Sequence, residues 1–153
     1  MKKGEKIVAI IIVVLIAGFG VIQLIPVDRT NPPVESEIQA PPEVKTILKI
    51  SCYDCHSHEI NWPWYSRVAP VSWLIASDAA EAREKINFST WNRYTPERQV
   101  HLIAEAMDEI REGGMPPWYY SWKHPGSEVT SDELKVLEAW AQEYAKPGQK
   151  MGD

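Results

Sequence analysis

The sequence predicts an all-α chain, and three observations carry that reading. Beyond residue 40, apolar residues recur at three- and four-residue spacing in four separate stretches. No stretch alternates apolar and polar residues in the manner of a strand. Near the amino terminus lies one apolar run, residues 7–25, broken only by Gly18, Gly20 and Gln23. No internal repeat is visible.

The apolar run comes first. As a helix rising about 1.5 Å per residue it reaches roughly 28 Å, enough to cross a hydrocarbon core. Lys2, Lys3 and Lys6 place the amino terminus on the cytoplasmic side. A cleaved signal peptide would have a shorter apolar core followed by a small-x-small site. Gly18-Phe19-Gly20 matches weakly, and the run continues through Val21, Ile22, Leu24 and Ile25. Residues 1–26 are therefore expected to be an uncleaved transmembrane signal anchor, with everything after them outside the cytoplasm.

Residues 27–42 hold Pro32, Pro33, Pro41 and Pro42 and no apolar period, which predicts an extended Pro-rich linker. At about 3.1 Å per residue it could hold a domain up to roughly 50 Å away, as a plain spacer. One domain is expected over 43–146, then a tail over 147–153. Its first helix carries Val44, Ile47, Leu48 and Ile50. A second, over 70–86, places Val71, Leu74, Ile75, Ala79 and Ala82 on one side. Thr95-Pro96-Glu97 opens a third with a capping hydroxyl, a proline and an acid. That helix runs through Val100, Ile103, Ala104, Met107 and Ile110 and stops at Gly113. Ser131-Asp132-Glu133 opens the last, with Leu134, Leu137, Trp140, Ala141 and Tyr144 inward and Pro147-Gly148 closing it.

The formal charge is −5; without the terminal Lys2, Lys3, Lys6 and Glu5, 13 basic residues face 20 acidic ones. Such a balance excludes nucleic acid as a partner. It suits a redox protein with a basic docking patch, or simply a soluble surface.

Cys52-Tyr53-Asp54-Cys55-His56 carries the chemistry. On a helix, cysteines three apart with a histidine next lie on nearly one face, the pattern that attaches c-type haem. Both sulfurs then reach haem vinyl groups and His56 becomes the proximal iron ligand. Three other readings compete. A Cys52–Cys55 disulfide is sterically possible. A thioredoxin-like pair wants a βαβ context, and zinc wants a second ligand pair; neither is visible. Export past the anchor favours haem, which is attached outside the cytoplasm, and a haem would also give so small a domain an apolar centre.

Met115 is the first candidate for the distal ligand. Gly113-Gly114 before it allow close backbone approach, and Pro116-Pro117 after it stiffen the loop. His124 and His101 follow it, then an open site; His58 stands too near His56 to share its iron, and Met107 belongs by default to a helix interior. Trp62, Trp64, Tyr65, Trp73, Trp91, Trp118, Tyr119, Tyr120 and Trp122 are many aromatics for one domain. Core and haem-pocket packing is the preferred reading, an exposed docking platform the other.

The attachment motif, Asn61-Trp62-Pro63-Trp64-Tyr65-Ser66, Ala69-Pro70-Val71-Ser72-Trp73 and Met115-Pro116-Pro117-Trp118-Tyr119 together resemble a family. It is the small haem-binding domain family of membrane-anchored monohaem c-type cytochromes, broadly similar to class I cytochromes c. The resemblance spans residues 44–144. It implies a cytochrome c-like helical domain wrapped around one haem c. It implies Cys52 and Cys55 as thioether residues, His56 as proximal ligand and Met115 as distal ligand. The first domain helix departs from the class I pattern, with Val44, Ile47 and Leu48 where a glycine and an aromatic are usual.

The expected function is a one-electron carrier on the outer face of the cytoplasmic membrane, handing electrons to and from a membrane-bound or periplasmic redox protein. No nucleophile–base constellation marks the chain as an enzyme. A haem-based redox or small-ligand sensor is the alternative, and a haem peroxidase a more distant one.

Overall fold

The computed structural model describes residues 2–146. Among them there is no strand, and the helices are α1 (Lys3–Ile22), α2 (Pro42–Ser51), α3 (Tyr53–His56), α4 (Val71–Lys85), α5 (Pro96–Arg111), α6 (Trp118–Lys123) and α7 (Ser131–Tyr144). Short 3-10 turns at Trp64–Arg67 and Trp91–Arg93 complete the helical inventory. The expected closure at Pro147-Gly148, the 147–153 tail and Met151 lie outside the described residues. The chain divides into two compact units, residues 1–30 with 62–78 and residues 31–61 with 79–153, a division that cuts α4 after Asp78.

In the first unit α1 is apolar along its length and buries none of its residues. Its best 18-residue window has a mean hydropathy of 2.5, so the helix is long and apolar enough to cross a membrane. Gln23 caps it and pairs with both backbone groups of one residue, Ala69. Its Nε2 donates to the Ala69 carbonyl at 3.2 Å, and its Oε1 accepts from the Ala69 amide at 2.8 Å. Arg29 donates to the Ser66 carbonyl at 3.3 Å. Val71 and Leu74, placed by periodicity on an inward face of α4, remain 43% and 52% exposed.

The second unit holds the core. Val44, Ile47 and Leu48 of α2, Tyr53, Leu102, Ile103 and Met107 of α5, and Leu137 and Trp140 of α7 are all buried in one cluster. α5 packs on α7 and α2 on α7, so the unusual residues of α2 leave the packing of first on last helix intact. The caps follow the sequence: Thr95 accepts from the Arg98 amide, and Thr130 forms a capping box with Glu133 one residue ahead of the expected start. On α5 the buried stripe includes Leu102 while Ala104 is exposed, so the inward face is rotated from the expected one. Trp91 anchors the interior. Its indole donates to the Tyr144 hydroxyl at 2.8 Å, which donates to Gln99, whose amide returns to the Trp91 carbonyl at 3.0 Å.

The linker requires a correction. Within the second unit, residues 31–38 form no helix, and they are not a free spacer. The Ser36 amide donates to the Ser89 carbonyl, the Ile38 amide to the Phe88 carbonyl at 3.0 Å, and the Trp91 amide back to Ser36 at 2.9 Å. Ile38 is fully buried. The reason is that a short extended segment can satisfy its backbone against the irregular 86–91 stretch while Ile38 fills the core.

Candidate haem site

The motif occupies the single turn of α3, which follows α2 after a break at Cys52, where φ is −126°. The His56 amide closes that turn on the Cys52 carbonyl at 2.9 Å. The chain from His56 to His58 is pinned to the end of α4 and the stretch beyond it. Phe88 donates its amide to the His56 carbonyl at 2.8 Å, and the Arg83 guanidinium donates to the Ser57 carbonyl at 2.8 Å. The Ser89 hydroxyl accepts from the His58 amide at 2.9 Å.

The His56 ring is positioned by backbone. Nδ1 lies 3.0 Å from the Ala82 carbonyl and 3.1 Å from the Ile86 carbonyl. Both partners are acceptors only, so Nδ1 carries the proton and Nε2 bears the lone pair. Burial pushes His56 below its ordinary pKa, although the two carbonyls pull the other way, and the ring is neutral at pH 7. The Phe88 ring stands edge-on to it, 6.2 Å between centroids. A neutral imidazole whose far nitrogen is held by carbonyls is the arrangement of a metal-ligating histidine.

Cys52 and Cys55 are half-buried and not joined in a disulfide. Burial pushes the Cys52 thiol up to about 12, with Cys55 adding to the rise. That is opposite to the depressed thiolate of a redox-active Cys-x-x-Cys pair. Among the described residues no group of three or more His, Cys, Asp or Glu is placed to hold a metal ion. The donor set therefore fits haem: one directed imidazole beside two thiols of the same turn.

The other histidines differ in their surroundings. His58 has both ring nitrogens engaged, Nδ1 with the Pro33 carbonyl at 3.0 Å and Nε2 with the Asn87 amide at 2.9 Å. His101 pairs with Glu105 on an exposed face of α5. His124 stacks on Tyr120 at 4.1 Å, with Nδ1 3.1 Å from the Tyr120 carbonyl. Met107 is core, 4% exposed.

Met115 leaves α5 through a glycine turn. The Gly114 amide bonds the Glu109 carbonyl at 2.9 Å and the Gly113 amide bonds that of Ile110 at 3.1 Å, with Gly113 at φ 75°. This is a Schellman cap, which requires the left-handed residue that glycine supplies. A Cβ on Gly114 would lie 2.5 Å from the Glu109 carboxylate. Met115 itself is 40% exposed. Five residues on, the Tyr120 hydroxyl donates to Asp54 Oδ2 at 2.8 Å, tying α6 to the attachment motif. Asp54 Oδ1 also accepts from the Asn61 amide at 3.1 Å.

Sequence reasoning missed three of these features. The Ala82 and Ile86 carbonyls are backbone groups with no residue signature. The Asp54–Tyr120 bond joins positions 66 apart, and α6 hides among prolines. The aromatics divide between the two readings: Trp91 is core, whereas Trp64, Trp118 and Trp122 are 77%, 78% and 71% exposed. Of the nearby cations, Arg93 is paired with Glu35 and Lys123 lies over the Trp122 ring at 4.1 Å.

The family model for a haem-binding domain matches residues 17–143. No curated protein and no solved structure matches the chain. That match covers the attachment motif, the Met115 turn and nearly all of the helical core, and the chain belongs to the haem-binding domain family.

Proposed function

We propose that this haem-binding chain is a membrane-tethered c-type cytochrome that carries single electrons outside the cytoplasm. Cys52 and Cys55 would hold one haem covalently, His56 would ligate its iron through Nε2, and Met115 would supply the sixth ligand. The observation that carries the reading is the His56 ring, fixed by the Ala82 and Ile86 carbonyls so that Nε2 keeps the lone pair, one residue after Cys55 and four after Cys52 in sequence. Bound haem supplies a one-electron iron couple, whose potential a methionine sulfur raises relative to a second histidine. The protein's part is to hold His56 neutral, to keep the Cys52 thiol protonated until attachment, and to present Met115 from a braced turn. α1 supports the tether: an apolar helix that buries nothing in protein matches an apolar surrounding. Lys2, Lys3 and Lys6 support a cytoplasmic amino terminus. A tethered acidic domain meets membrane-bound redox partners at high effective concentration.

The test is an optical spectrum, oxidised and reduced, of the full chain exported in a host that attaches c-type haem. The reading expects low-spin haem with the weak sulfur-to-iron charge-transfer band, lost in Met115→Ala. A high-spin spectrum that shifts with carbon monoxide or peroxide would overturn the electron-carrier reading in favour of a sensor or peroxidase.

A further inference from the structure

We infer that the tryptophan–proline segment of the first unit, residues 62–75, rests in the headgroup region of the bilayer that α1 crosses. The inference depends on α1 spanning that bilayer, as proposed above. It makes the segment a second membrane contact, additional to the span.

The argument starts from where α1 ends. Counting about 1.5 Å per residue, Gln23 lies roughly 26 Å along the helix from Lys6, close to one hydrocarbon thickness. Lys6 marks one boundary, so Gln23 marks the other. A glutamine at that depth needs partners, and it finds them in the Ala69 amide and carbonyl, at 2.8 and 3.2 Å, and in the Phe19 carbonyl at 3.0 Å. The same segment is held a second time by Arg29 on the Ser66 carbonyl. Ala69 is thus fixed at the boundary by a two-sided amide clamp.

The side chains on that segment suit the place. Trp64 is 77% exposed and meets Tyr65 edge to face at 5.8 Å. Val71 and Leu74, three apart at the start of α4, lie on one side and are 43% and 52% exposed. Tryptophan and tyrosine concentrate at membrane interfaces, where the ring meets acyl chains and the polar edge meets water. The charge pattern agrees. Although the exported part of the chain is acidic, the one charged residue between positions 62 and 77 is Arg67, and basic residues are drawn to anionic headgroups. At the end of the span Leu24 and Ile25 are likewise exposed, at 81% and 51%.

Photo-crosslinking tests this on the haem-loaded full chain in phospholipid vesicles. p-Benzoylphenylalanine is placed singly at position 64, 74, 15 or 132, and adducts are identified by mass spectrometry. Position 15 reports the span, and position 132, on the exposed first turn of α7, reports chance contact. Phospholipid adducts at 15, and at 64 and 74 several-fold above 132, are expected. Gln23→Leu should lower the yield at 64 several-fold and leave 15 unchanged. Lipid adducts at 15 with 64 and 74 no higher than 132 would overturn the docking while leaving the span intact. Adducts of position 64 to a second protein chain would overturn it in favour of a protein partner. Absence of lipid adducts at 15 would overturn the span, and this inference with it.

Discussion

Replacing Tyr120 with phenylalanine removes one hydroxyl and should loosen Met115, the sixth ligand proposed above. The hydroxyl donates to Asp54 at 2.8 Å, and Asp54 sits between the two attachment cysteines. Phenylalanine retains the ring that stacks on His124, so the variant isolates the hydrogen bond. A hydrogen bond to a charged group contributes about 1.5–3 kcal/mol. Tyr120 and Asp54 are both half-buried, which argues for the lower end, about 1.5 kcal/mol or close to tenfold in an equilibrium. The bond braces the far end of the short stretch that begins at Met115, so its loss should favour the state with the sulfur off the iron. The assay is displacement of the sulfur by added imidazole, followed on the charge-transfer band of the oxidised full chain. Tyr120→Phe should bind imidazole about tenfold more tightly than the parent, by the same 1.5 kcal/mol. Asp54→Ala, which also strips the Asn61 amide of its partner, should loosen the sulfur at least as much, and adding Tyr120→Phe to it should change little more. Imidazole affinity unchanged in Tyr120→Phe would refute the bracing argument.

Two further substitutions probe the same structure. Ile38→Ala empties a fully buried position and should cost about 2–5 kcal/mol, measured by denaturant unfolding of the haem-loaded chain; a cost near zero would restore the spacer reading of residues 27–42. Gly113→Ala forces a side chain into φ 75° and should destabilise the fold by about 1–2 kcal/mol, while shifting the imidazole titration in the same direction as Tyr120→Phe.

Much of this architecture is legible in the sequence because its signals are local. A hydroxyl–proline–acid start, a double glycine and a heptad-like stripe each lie within a few residues, so the limits of α5 and α7 follow from nearest-neighbour chemistry. The attachment motif is equally local, five residues in one turn. The hidden features depend on distant partners. Ile38 reads as linker because prolines surround it, and only the irregular backbone of 86–91 makes its burial possible. Val71 and Leu74 follow the helical period yet stay exposed, since periodicity marks a face without saying what covers it. The carbonyls that orient His56 leave no trace in side-chain identity, and Tyr120 becomes informative only once α6 brings it to Asp54.

The central claim is that residues 52–56 hold one haem through two thioethers. The most direct measurement is the intact mass of the denatured full chain after export in a host that attaches c-type haem. The account predicts the chain plus a single haem, retained under denaturation, and loss of that addition when Cys52 and Cys55 are both replaced by serine. A bare chain, or a mass lower by two hydrogens from a Cys52–Cys55 disulfide, would contradict it.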